Sequence, residues 1–116
     1  MRHSDIYLRF IQLAKALESD QVLPKLEPIE QQLLEIVTIA NTKRKRLSVK
    51  DLMAMSEVAS PATIHKHMHE MVAKGWIYSA PTEDARRRQV MLTDATIKHY
   101  DKLGTALTKA TMLRKN

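Results

Sequence analysis

Three arginines stand side by side at Arg86-Arg87-Arg88, directly after the turn-like stretch Pro81-Thr82-Glu83-Asp84-Ala85. Adjacent guanidinium groups repel one another, so three in a row favour a polyanionic partner over bare solvent. Their planar forks match phosphate oxygens, and arginine suits a narrow minor groove. A second set of candidate residues is His65, His67 and His69, alternating within one short segment. On a helix, His65 and His69 share a face and could chelate a divalent ion, while His67 points elsewhere. Glu70 is the only neighbouring acid expected to help, so no metal site is assigned; the imidazoles read as surface groups able to sit beside phosphates.

Other chemistries are absent from the sequence. There is no cysteine, which removes disulfides, thiolate zinc sites and cysteine nucleophiles together. No glycine-rich phosphate loop, nucleophile motif or paired-acid signature occurs, so an enzyme is not expected and no cofactor is implied. Nineteen Lys and Arg against thirteen Asp and Glu give a net charge of +6, which attracts polyanions without identifying one. With 116 residues, 44% hydrophobic and 28% charged, the chain reads as one globular domain over 1–116. It lacks both an apolar run of about 20 residues and an N-terminal apolar leader, so no membrane contact and a cytoplasmic location are expected.

The elements that must position these groups follow from periodicity and caps. Ile6, Phe10, Leu13 and Leu17 recur at helical spacing and predict a helix over 4–20. Glu27-Pro28 opens a second helix with Ile29, Leu33, Ile36, Val37 and Ala40 inward, ending near Asn41-Thr42 before the basic run Lys43–Arg46. Ser48-Val49-Lys50-Asp51 has the form of a capping box and opens a short helix to about Met55. Ser60-Pro61 opens another, with Ile64, Met68 and Met71 on its buried face, closed by Gly75. Segments 76–79 and 88–92 read as two strands of a hairpin. Thr93 caps a last helix over 94–113, with Ile97, Tyr100, Leu103, Leu107 and Ala110 on one side.

Two short capped helices followed by a hairpin make a winged helix-turn-helix, here over 26–93 and flanked by N- and C-terminal helices. The fold class is mostly α with a small β-hairpin. A helix fits the major groove of DNA, where base edges are distinguishable. On the 60–74 helix, Ala62, Lys66, His69 and Ala73 lie opposite the buried face, with Thr63 and His65 on its flanks and Glu70 a discordant charge near its edge. The expected DNA-binding set is therefore Ser60, Ala62, Thr63, His65, Lys66 and His69 on the helix, and Arg86, Arg87 and Arg88 on the hairpin. A winged-helix module that binds a protein, or nucleic acid without sequence preference, is the alternative.

From Leu26 to Leu103 the residues resemble the MarR-type winged-helix regulators. The resemblance rests on Leu26-Glu27-Pro28, Leu47–Leu52, Ser60–Ile64, Gly75-Trp76-Ile77, Asp84-Ala85-Arg86 and Leu92-Thr93, in that order and spacing. It implies a transcriptional regulator on double-stranded DNA and a homodimer held by the first and last helices; the residues do not say whether a small-molecule effector is sensed. It also implies that Asp84 shapes the wing tip while Arg86 reaches DNA. The sequence departs from the pattern in a wing that reads short, in Ser79 where arginine is common, and in an early C-terminus. Dimer contacts are therefore expected on Ile6, Phe10, Leu13 and Leu17 and on Ile97, Tyr100 and Leu107.

Overall fold

The computed structural model describes residues 2–84 and 86–112. Its elements are α1 (His3–Ser19), α2 (Pro28–Thr42), α3 (Val49–Met53), α4 (Pro61–Lys74), β1 (Ile77–Pro81), β2 (Arg88–Leu92) and α5 (Asp94–Thr111). They fall into two compact units, Leu23–Thr96 and Met1–Val22 with Ile97–Asn116. The end expected for the last helix, residue 113, lies outside the described residues.

In the Leu23–Thr96 unit, local chemistry sets each helix. Glu27 caps α2: its backbone N–H donates to Glu30 Oε1 at 3.0 Å, and Pro28 fills the first turn where no N–H is needed. The helix ends through Arg44 at φ 57, the left-handed conformation that lets Lys45 N–H reach back to Ala40 O at 2.9 Å. Both bonds of the expected capping box start α3, Ser48 N–H to Asp51 Oδ2 at 2.9 Å and Asp51 N–H to Ser48 Oγ at 3.0 Å. That helix ends at Met53, two residues before the sequence-based expectation.

Ser60 caps α4, and Gly75 closes it at φ 87. This lets Trp76 N–H donate to Met71 O at 3.0 Å, turning the chain straight into the hairpin. The Trp76 indole N–H then donates to Pro24 O at 2.8 Å, tying the segment before α2 to the hairpin root.

The core of this unit is aliphatic. Leu33, Leu34 and Val37 of α2 are buried, as are Leu52 of α3 and Ile64, Met68 and Met71 of α4. Full burial of such a side chain contributes about 1.5–3 kcal/mol, so these seven carry much of the unit. The α2 face differs from the sequence-based expectation. Ile29, Ile36 and Ala40 are only half-buried, and the stripe runs instead through Glu30 and Leu34.

The hairpin is antiparallel, with Ser79 opposite Val90. The first strand runs on to Pro81 rather than stopping at Ser79. A third segment lies on the other side of the second strand, where Ser48 bridges Gln89 and Val90 N–H donates to Leu47 O at 2.9 Å. Thr93 Oγ accepts the Thr96 N–H at 3.2 Å, the expected cap of α5. Buried Thr96 satisfies its own hydroxyl on Trp76 O at 2.6 Å.

In the other unit, α1 has no buried residue; Ile6, Phe10, Leu13 and Leu17 are half-buried. Along α5, Ala106 and Ala110 are buried and Leu103 half-buried, whereas Ile97 and Leu107 are 47% and 51% exposed. The inward stripe is therefore rotated from the one expected. It follows Leu103, Ala106 and Ala110 at spacings of three and four, where small alanines allow close approach. No helix among the described residues is long and apolar enough to cross a membrane.

Candidate nucleic-acid interface

The outer face of α4 is built as its burial pattern dictates. Ala62, His65, Lys66, His69 and Ala73 are exposed, while Ile64, Met68 and Met71 face inward. The His65 and His69 rings meet edge-on at 4.6 Å, so they do share one face. Ser60 and Thr63 are engaged with each other. Ser60 Oγ accepts the Thr63 N–H at 3.3 Å and donates to Thr63 Oγ1 at 2.9 Å, which fixes the entry to the helix.

The three arginines are held quite differently. Arg86 is 95% exposed, with only a loose approach of 3.8 Å to Asp84. Its backbone N–H donates to Asp84 Oδ1 at 3.0 Å, and Arg87 N–H donates to Asp84 O at 2.9 Å, so Asp84 sits at the bend of the hairpin. Thr82 Oγ1 closes the same bend onto Asp84 O and Arg87 O at 2.8 and 2.9 Å. Arg88 folds across the hairpin, donating to Ser79 Oγ and Ser79 O, both at 2.9 Å. Arg87 reaches instead to Asp51 of α3 at 3.3 Å. Of the three, Arg86 is the guanidinium most open to an outside partner.

Helix and hairpin bound one cleft of about 500 Å³. Val49, Met53, Val72, Ile77 and Val90 give it an apolar lining, which His65, His69 and the three arginines share. The two sets of cationic and polar groups that the sequence singled out separately thus border a single surface.

His67 points away from that surface, as expected, but into surroundings the sequence did not disclose. Its Nδ1 lies 2.9 Å from Glu30 Oε2, 3.5 Å from Glu70 Oε2 and 3.6 Å from Glu27 Oε2. Glu70 is therefore not the sole acid near the histidines; Glu27 and Glu30 arrive from the start of α2. Lys74 adds a fifth group, donating to Glu30 Oε1 at 2.6 Å and to Lys25 O at 3.0 Å. Glu30 is fully buried, and burial pushes its carboxyl up, but hydrogen bonds from His67, Lys74 and the Glu27 N–H outweigh this and hold its pKa at about 2. Sharing a hydrogen bond with Glu30, and facing its charge, raises the carboxyl of Glu70. The bond that Lys74 itself donates to Glu30 raises its ammonium. This network joins α2 to α4 and turns Glu70 inward, away from the cationic face. The discordant charge expected at the edge of that face is thereby absorbed.

Sequence reasoning missed Glu27, Glu30, Lys74, Asp51 as an arginine partner, and Ser79 as the acceptor for Arg88. One signal was available. Glu30 lies three, four and seven residues before Leu33, Leu34 and Val37, on the buried stripe, where a carboxylate requires partners.

Two helices joined by a tight connection, with a hairpin wing docked beside the second, define the winged-helix class. No protein-family profile and no curated protein matches the chain. Solved structures do match in fold. A mutant of S. aureus MepR bound to an oligodeoxyribonucleotide aligns with a TM-score of 0.58 at 15% identity, covering 94% of this chain and 72% of that one. The transcriptional regulator Tm0710 from Thermotoga maritima gives 0.61 at 10% identity, over 92% and 68%. The heme sensor protein PefR from Streptococcus agalactiae, in complex with heme, gives 0.57 at 21% identity, over 97% and 80%. The chain thus shares the winged-helix fold of these structures, the fold that its resemblance to MarR-type regulators implies.

Proposed function

We propose that the protein is a transcriptional regulator that binds double-stranded DNA, with α4 in the major groove and the β1–β2 wing on the minor groove or flanking phosphates. The observation that carries this reading is the shared cleft: exposed His65 and His69 of α4 and Arg86 of the wing border one surface, with Lys66 exposed on the same helix. Lys66 and His69 supply contacts from the helix, Arg86 the principal contact from the wing, and Asp84 holds the bend that presents Arg86. Ser60, Ala62 and Thr63 stand at the helix entry, where a backbone phosphate passes closest in such docking. The fold shared with the MepR mutant bound to an oligodeoxyribonucleotide, and with the transcriptional regulator Tm0710, supports the same reading. We further propose that the protein acts as a homodimer, since paired half-sites match a two-fold protein.

Selection from a random duplex pool tests the reading directly. A palindromic winner, bound ~10³-fold or more above random DNA at fixed salt, is the expected result. Arg86→Ala and Lys66→Ala are each expected to weaken binding while the helical circular dichroism stays unchanged. Loss of a phosphate contact also flattens the slope of log K against log salt by ~0.9. Steep salt dependence without sequence preference would leave a nonspecific binder. If neither variant moves affinity or slope, the proposed surface is wrong and the protein-binding alternative takes its place.

A further inference from the structure

The partner that Arg87 finds inside the protein carries the inference. Its Nη2 lies 3.3 Å from Asp51 Oδ2, with the two side chains 57% and 41% exposed. Asp51 does not swing freely. The same Oδ2 accepts the Ser48 N–H at 2.9 Å, and Ser48 Oγ accepts the Asp51 N–H at 3.0 Å. Ser48 is in turn bridged to Gln89, and Leu47 O takes the N–H of Val90, on the strand that follows Arg87. The carboxylate is therefore fixed both to α3 and to the wing that bears the arginine. The Ser48 N–H bond, and then the nearby charges of Arg87 and Lys45, hold its carboxyl below the usual aspartate range. A guanidinium in this position faces two competing anions, a prepositioned carboxylate and any phosphate that approaches the wing.

We propose that Asp51 restrains Arg87 from the duplex, so that the wing commits Arg86 to DNA and holds Arg87 back. The proposal rests on the DNA-binding reading above and identifies a residue that opposes that binding. The ion pair must be broken before Arg87 can neutralise a phosphate. Exposed ion pairs are weak, so the restraint is partial, and its release raises affinity by about fivefold or less. Phosphate contacts carry no sequence information. A restraint on one of them lowers binding to all sequences and leaves base reading by α4 untouched.

The test is a salt titration of binding to a random-sequence duplex, read by fluorescence anisotropy, for the native protein, D51N, R87A, the double variant and R86A. Asparagine keeps an oxygen acceptor for the Ser48 N–H while removing the charge. D51N is expected to bind up to about fivefold tighter, with a log–log salt slope steeper by ~0.9, one phosphate more. R87A alone is expected to leave the native slope unchanged, and in the D51N background it removes the gain. A slope lost on R87A in the native protein places Arg87 on the DNA already and overturns the restraint. A D51N gain that survives R87A overturns it as well, because the charge alone then explains the effect. The R87A measurement alters nothing at the cap of α3, so it decides even if D51N fails to fold. R86A separates the two readings. If the native protein binds and R86A flattens the slope, the DNA-binding reading stands whatever R87A does. Absence of any salt-dependent binding by the native protein removes both.

Discussion

A single buried carboxylate, Glu30, has consequences out of proportion to its size. It sits on the apolar stripe of α2, yet the cap of its own helix and two cationic or imidazole groups of α4 satisfy it. Its folded-state pKa of about 2 lies below the ordinary 4.5. Stability from this depression is fully present above pH 4.5 and is lost as pH falls toward 2. The raised carboxyl of Glu70 takes up a proton before Glu30 does. Glu30→Gln keeps the shape but leaves Lys74 without its charged partner. Losing that charge weakens the tie between α2 and α4 at neutral pH. Urea unfolding at pH 7 and pH 3 is the measurement. The variant should be weaker at pH 7 and should lose less than the native protein on acidification; parallel losses would show that Glu30 does not control the acid limb.

At the scale of elements, the joint between α4 and β1 depends on one backbone conformation. Gly75 adopts φ +87, and a Cβ added there would stand 3.3 Å from Leu23 Cδ2. Gly75→Ala is expected to lower stability by about 1 kcal/mol or more, measured by thermal melting, because the left-handed conformation and the contact penalise the same atom. A melting temperature unchanged or raised would mean the turn relaxes. This joint was legible in the sequence, as were the caps at Ser48, Ser60 and Thr93, because each is a signal within four residues. Pro81 was read as part of the turn between the two strands. It instead ends an edge strand, where no N–H is required. The tertiary pairs were not legible. Asp51 and Arg87 are 36 residues apart and Glu30 and His67 are 37 apart, so only the fold brings them together. On α5 the sequence placed Ala110 correctly, but it set Ile97 and Leu107 inward in place of Ala106, because large apolar residues were weighted above a small alanine.

For the whole molecule, the question is what covers the apolar residues of the terminal helices. Tyr7 and Leu8 of α1 and Ile97 and Leu107 of α5 are all exposed. A second copy of the chain is the cover we propose. Sedimentation equilibrium at tens of micromolar should report a dimer, and Ile97→Glu with Leu107→Glu should report a folded monomer with weakened operator binding. A native protein that stays monomeric at that concentration would remove the dimer and leave each half-site bound alone. The two-stranded sheet has a different kind of open border. One side of β2 pairs with β1 and the other is bridged at Gln89 and Val90 by the Leu47–Ser48 segment, while among the described residues the outer side of β1 has no strand partner. Such an edge is a template for aggregation by strand addition. Here it is only five residues long and finishes in a proline that offers no donor. The hairpin that presents cations to a polyanion is thereby also poorly suited to recruiting another strand, which favours solubility during folding.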